Sequence, residues 1–229
     1  MTFSIAARCA STGRFAVAVA SSSPAVAARC AFARAGVGAV TTQNITDPRL
    51  GPQALDLMTL GADSGQVRAI LTRVAPHIEY RQLTMIDRHG NTAGFSGQRV
   101  LGVHAIAQGR DVVSAGNLLA NTEVPGAIVA AFEASDIASD LGQRVIGAMA
   151  SGLAAGGEAG PIRSCGMIMV DEVAWPVTDL RVDWHDAPLD ELARLWTVWR
   201  PQMAAYVIRA LDPAAAPGYG VPGVEQTNR

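Results

Sequence analysis

The sequence predicts an α+β fold: a four-layer αββα sandwich in which two stacked antiparallel sheets lie between two layers of helices. Three observations lead there. Strand-like runs come in hairpin pairs and helical runs follow in pairs, the segregated order of antiparallel sheets rather than the βαβ alternation of a parallel one. No charged or Pro-rich linker interrupts the chain before its last eighteen residues, so one core is expected. That core is poor in aromatics, since hydrophobic residues make up 49% of the 229 but aromatic ones only 5%. Ala, Val, Leu and Ile fill it, and such small side chains suit closely spaced layers.

The elements follow in order. Residues 2–8 and 15–21 flank a turn containing Ser11, Thr12 and Gly13, the pattern of a hairpin with largely buried strands. Residues 36–43 read as a third strand, whose glycines Gly36 and Gly38 mark a close approach of another backbone or a ligand. After Asp47-Pro48, residues 50–60 have helical character. A second helix starts at Asp63, with Gln66 completing a capping box and Val67, Ile70, Leu71 and Val74 at helical spacing. Residues 80–87 and 92–96 make another hairpin, and residues 111–116 continue the sheet. Two helices follow over residues 123–134 and 137–154, then a Gly-rich turn from Gly156 to Pro161, a strand over 164–170 and a last strand over 179–183. Leu189, Leu192, Trp196 and Trp199 mark a final helix begun near Pro188, its tryptophans expected in the core. Residues 1–211 form the expected domain, and the Ala-, Pro- and Gly-rich residues 212–229 a flexible tail.

Composition narrows the chemistry. All 18 basic residues are arginines, against 20 acidic ones, and the chain has no lysine. Schiff-base chemistry and a P-loop lysine are thereby excluded, and the scattered arginines give no footprint for nucleic acid. Cys9, Cys30 and Cys165 are widely spaced and odd in number, which fits reduced thiols and a cytoplasmic location better than a disulfide framework. His77, His89, His104 and His185 lack metal-ligand spacing, so neither metal nor other cofactor is expected. The apolar run Phe15–Ala20 is too short for a signal-peptide core, and no run is long enough to span a membrane.

The residue with most chemical content is Thr2. If the initiator methionine is trimmed, Thr2 carries a hydroxyl and a free α-amine together, so a nucleophile there brings its own general base; the alternative is an ordinary start in which a Thr follows an easily trimmed methionine. An α-amino group with a pKa of about 7.7–8.0 is well matched to that task near neutral pH.

An ordered series of short words runs through the chain: Thr2-Phe3-Ser4-Ile5, Val17-Ala18-Val19-Ala20-Ser21, Ala33-Arg34-Ala35-Gly36-Val37-Gly38-Ala39-Val40, Thr41-Thr42-Gln43, Glu79-Tyr80-Arg81-Gln82, Gly116-Asn117-Leu118-Leu119-Ala120 and Asp179-Leu180-Arg181-Val182-Asp183. The series resembles a bacterial and archaeal family whose members look like N-terminal-nucleophile (Ntn) hydrolases, related in fold to proteasome subunits. The resemblance implies the four-layer αββα sandwich and, for active members, hydrolysis of a C–N bond by an N-terminal Thr, Ser or Cys. It names no substrate. Proteasome-like members use a lysine to lower the nucleophile's pKa; with none in this chain, Arg34 is a candidate stand-in.

Other residues are candidates for the same site. Gly116-Asn117 reads either as an oxyanion hole, with the glycine admitting backbone and the Asn amide donating, or as a turn ending its strand. Asp179, Arg181 and Asp183 alternate on one strand face, as a structural ion network or as a means of orienting the Thr2 amine. Gln43, at a strand end, reads either as a hydrogen-bond partner for a substrate amide or as an exposed strand-end side chain, and Arg163 beside Ser164 as an anchor for a substrate carboxylate. Cys165 is the rival nucleophile, set inside an apolar strand where thiols are usually inert. The sequence thus points to a hydrolase cleaving an amide, lactam or ureido C–N bond of a small molecule, with homo-oligomers expected by analogy of fold. The alternative is a non-catalytic sandwich that binds a ligand or serves as a scaffold.

Overall fold

The computed structural model describes residues 1–220, and the antiparallel sheets predicted from the sequence are both present there. Strands β1 (Thr2–Arg8) and β2 (Phe15–Ser21) form the expected hairpin, paired from Phe3↔Ala20 to Arg8↔Phe15. One helical turn, α1 (Ala27–Cys30), leads into β3 (Ala31–Arg34) and β4 (Gly38–Asn44). Helices α2 (Leu50–Thr59) and α3 (Ser64–Val74) come next, the second started by the Asp63–Gln66 capping box that the sequence predicts. Strands β5 (Arg81–Asp87), β6 (Thr92–Ser96), β7 (Ala105–Gly109) and β8 (Val112–Asn117) precede helices α4 (Val124–Ala134) and α5 (Leu141–Ala154). Strands β9 (Ser164–Val170) and β10 (Thr178–Val182) and helices α6 (Pro188–Trp199) and α7 (Met203–Leu211) complete the order.

The six-stranded sheet runs β10-β9-β2-β1-β8-β7 and the four-stranded one β3-β4-β5-β6. Strand alternation divides their side chains among three apolar clusters. Phe3, Ile5, Ala16, Ala18 and Met167 pack against α4, α5 and α6 through Val129, Phe132, Met149, Leu192 and Trp196. Ala6, Val17, Val19, Ala39, Ile86 and Val113 meet between the sheets. Val40, Leu83 and Met85 pack beneath α2 and α3 through Leu55, Met58, Val67 and Leu71. Helices α4, α5 and α6 therefore cover the outer face of the six-stranded sheet and α2 and α3 that of the four-stranded one, and the inner faces close on each other. The predicted tryptophan stripe holds for Trp196, 1% exposed, while Trp199 lies partly buried with its Nε1 donating to Thr178 Oγ1 at 3.1 Å.

Several elements depart from the sequence expectation. Helix α1 and strands β3 and β7 were not predicted, because Ala-rich segments carry little strand signal until a partner strand pairs them. The helix expected over 137–154 begins at Leu141, where Asp140 caps it by accepting from Gly142 N at 2.8 Å. A separate α7 follows α6. Residues 221–229 of the expected tail lie outside the described residues. Residues before them fold back on α7, where Arg209 stacks over Tyr219 at 4.1 Å.

Of the two glycines expected at a close approach, Gly36 serves instead as a turn residue with φ +67°. Gly38 meets the expectation: a Cβ there would lie 2.5 Å from the Ile86 carbonyl oxygen on the neighbouring strand. Gly38→Ala is expected to destabilise the fold by about 1–3 kcal/mol, measurable by urea unfolding.

Candidate active site

Phe3, Ile5 and Ala7 face the helices, so alternation turns Thr2 toward the gap between the sheets. Strand pairing then fixes its neighbours. Thr2 pairs with Asn117 of β8, and Ser21 of β2, one step beyond the Phe3↔Ala20 pair, lies on its other side and pairs with Ser164 of β9. Cross-strand partners share a face. Asn117, Thr2, Ser21 and Ser164 therefore form one polar row across four strands, with Thr2 6% exposed and the others 0%. Thr2 Oγ1 lies 3.4 Å from Ser21 Oγ, and both hydroxyls donate to the Met1 carbonyl.

A second polar row faces the first from the other sheet, where Gln82 pairs with Gln43 on one side and Ser96 on the other. Gln82 bridges the gap. Its Nε2 donates to the Gly116 carbonyl at 2.9 Å and Ser96 Oγ at 3.0 Å, while its Oε1 accepts from Gln43 Nε2 at 2.7 Å and Asn117 Nδ2 at 3.1 Å. With both amide nitrogens committed to Gln82, Gln43 Oε1 and Asn117 Oδ1 are left buried without a hydrogen-bond partner. An orphaned buried acceptor costs about 1–3 kcal/mol. Of the five non-glycine residues with positive φ among the described residues, Asn44 ends the strand that carries Gln43, Leu118 directly follows Asn117, and Ala25 lies four residues beyond Ser21. Such strain collects where the chain must turn sharply to present a site.

Glu158 completes the cluster and was not among the sequence candidates. The glycines before it take positive φ, and a bridge to Leu119 sets it beside the end of β8. It is 4% exposed, and both carboxyl oxygens accept from Ser22 N, at 3.1 and 3.2 Å. Burial pushes its pKa from the ordinary 4.5 up to about 7, against the opposing pull of the N-terminal ammonium and the Ser22 N–H. A carboxyl with a raised folded pKa binds more protons folded than unfolded, so its stabilising effect is complete below pH 4.5 and is lost as pH rises through about 7. Glu158→Gln is expected to flatten the decline in stability across that window, as measured by thermal unfolding at stepped pH.

The structure thus brings Thr2, Gly116, Asn117, Gln43 and Ser164 to one end of the gap. The other candidates fall elsewhere. Asp179 and Arg181 form an exposed ion pair at 2.8 Å on edge strand β10, with β9 and β2 between them and β1, and Asp183 lies exposed just past that strand. Of that trio, Asp179 and Arg181 are paired with each other, and Asp183 is in no ion pair among the described residues. Arg163 is held by Asp186, its backbone N donating to the Ser21 carbonyl at 2.7 Å. Ser164 Oγ donates to the Ser23 carbonyl at 2.6 Å and accepts from Val26 N at 3.1 Å, which shapes the loop after Ser21. Arg34 points to α2, where it pairs with Asp56 at 2.8 Å, so it does not stand in for a lysine at Thr2. The Cys165 thiol faces the helical layer, and burial pushes it up to about 12, which keeps it protonated.

Asn117 also differs from its expected role. Its amide N–H group serves Gln82, and its oxygen is the group left free, so as observed it is an acceptor for a ligand rather than a dedicated oxyanion donor. Gln82, Ser21 and Glu158 are site residues that the sequence reasoning missed. Only cross-strand register reveals the first two, whereas a single carboxylate in the glycine-rich turn before Pro161 was a signal available for the third. Among the described residues no cluster of His, Cys, Asp or Glu is arranged to hold a metal ion, and no helix is long and apolar enough to cross a membrane.

A family model described as "Family of unknown function (DUF1028)" matches residues 2–192. The chain belongs to this family. The DUF1028 protein SPO2555 from Silicibacter pomeroyi has a crystal structure that superposes with a TM-score of 0.79 at 26% identity, over 86% of this chain and 88% of that one. Two further structures resemble this DUF1028 chain at a TM-score of 0.38: Anbu (ancestral beta-subunit) from Yersinia bercovieri, 13% identical over 96% of this chain and 100% of that chain, and an Anbu (Gly-1) mutant from Hyphomicrobium sp. strain MC1, 11% identical over 90% and 97%. A likeness at that score is too weak to bear on activity. No curated protein matches the sequence.

Proposed function

We propose that this protein is an Ntn-type hydrolase that cleaves the C–N bond of a small amide, lactam or ureido compound, with Thr2 as nucleophile once Met1 is removed. One observation carries the reading: the Thr2 hydroxyl sits in a buried polar row beside one orphaned acceptor, Asn117 Oδ1, and a second, Gln43 Oε1, belongs to the facing row. A substrate rich in N–H groups relieves both acceptors, and a C–N compound supplies such groups where an ester does not. The Thr2 amine takes the hydroxyl proton, the oxygen attacks the carbonyl, the amine leaving group departs with that proton, and water then hydrolyses the acyl-enzyme. The Ser21 hydroxyl, which now donates to the Met1 carbonyl, is the donor beside the nucleophile that meets the developing charge. Glu158, buried beside Ser22, offers the new α-ammonium a counter-charge.

Met1 lies ahead of β1, its side chain exposed and its carbonyl held by the Thr2 and Ser21 hydroxyls. An N-terminal extension that keeps residues ahead of Thr2 leaves every side chain unchanged. It is expected to be inert toward a panel of amides and ureides, assayed by amine or ammonia release, while the trimmed protein turns over at least one. Equal activity of the two forms would remove the mechanism. A ligand-binding or scaffold role is the second reading, favoured by the two hydroxyls that hold the Met1 carbonyl in place; an untrimmed chain with no turnover would establish it over the first.

A further inference from the structure

Thr2 opens β1 and Arg8 ends it, six residues on, so the far end of the strand lies roughly 20 Å from the proposed nucleophile. A cavity of about 370 Å³ opens there, within the range of small-ligand sites, lined among others by Arg8, Arg110, Arg144, Asp111, Glu133 and Ser135. Its lining thus holds three arginines and two acidic residues. Only Arg8 forms an ion pair among the described residues, to Asp111 at 2.9 Å, and its Nε is buried with no partner.

Arg144 is the least expected of the three. It is 8% exposed and has no carboxylate partner among the described residues. Its Nε donates to Ser135 Oγ at 2.8 Å, its Nη2 reaches the Phe132 carbonyl at 3.4 Å, and its guanidinium stacks over the Phe132 ring at 4.2 Å. Those contacts cap the C-terminus of α4, yet they use two of the five N–H groups an arginine carries. The Arg110 guanidinium also has no ion-pair partner among the described residues; Glu133 Oε1 instead accepts from the Arg110 backbone N at 2.7 Å. A buried cation without a counter-ion is costly, and the planar fork of arginine matches the oxygens of a carboxylate or phosphate.

We propose that this cavity is a second ligand site, which binds a small oxyanion, a carboxylate or a phosphate, between the Arg144 and Arg110 guanidinium groups, with Arg8 Nε as a further donor. The proposal is independent of the chemistry assigned to Thr2.

Isothermal titration calorimetry of the full chain, with inorganic phosphate and separately with acetate at constant ionic strength, tests it. Saturable binding of at least one anion is expected, and which anion binds identifies the class. Binding is expected to weaken about tenfold or more in Arg144→Gln, the factor that losing a charge-assisted hydrogen bond implies. Should Arg144→Gln fail to fold, Arg110→Ala at an exposed position decides the matter, with a several-fold loss expected and circular dichroism confirming the fold. Absence of saturable binding by both anions, or affinity unchanged in Arg110→Ala, overturns the proposal.

Discussion

Thr2→Ala is expected to abolish hydrolysis of any amide or ureide that the wild-type protein turns over, a loss of about a thousandfold or more. The substitution removes the proposed nucleophilic oxygen together with the Cγ2 methyl and leaves the backbone and Cβ in place. With Met1 removed, the hydroxyl contact that remains to be lost is the one to Ser21 Oγ, so the cost in stability is about 1 kcal/mol. Thr2→Ser keeps the oxygen and is expected to retain part of the activity. Steady-state rates of the three proteins, with melting temperatures as the control, separate a chemical role from a structural one. Turnover by Thr2→Ala at the wild-type rate contradicts the proposed mechanism.

The largest effect on stability is expected at Trp196. Its ring is 1% exposed in the cluster between the six-stranded sheet and its helices, and it packs so closely on α5 that a Cβ at Gly142 would meet the ring at 2.6 Å. Trp196→Ala leaves a large cavity and is expected to cost about 3–5 kcal/mol. For a chain of this size that lowers the melting temperature by roughly 6–20 °C. Trp196→Phe is expected to cost much less, because the indole Nε1 is buried with no partner and its removal relieves an unsatisfied donor. Differential scanning calorimetry of the two variants checks the order; equal losses would mean that the ring volume is not what matters there.

Much of the architecture was legible because its signals are local. The Asp63–Gln66 capping box, the hairpin turn at Gly13 and the apolar alternation of residues 15–21 each specify a structure within a few residues. The missed elements lack that property. Ala31–Arg34 and Ala105–Gly109 become strands because β4 and β8 pair with them, and nothing in their own composition competes against helix. The site divides along the same line. Thr2 is conspicuous by its place in the chain, and Gln43, Gly116 and Asn117 by their place at strand ends. Gln82 gains its meaning only when the two sheets stack, since it is its contacts across the gap that bind Asn117 and Gly116 to the opposite sheet. Asp179 and Arg181 show the converse: a regular alternation that looks like a device in sequence is an exposed ion pair on an edge strand, where such pairs contribute little.

The intact mass of the protein expressed without a tag tests the central claim most directly. A mass lower by one methionine residue is predicted, which frees the Thr2 amine inside the polar row formed with Ser21 and Asn117. A mass that includes Met1 in full would leave Thr2 acylated, without a general base, and would contradict the assignment of Thr2 as the nucleophile.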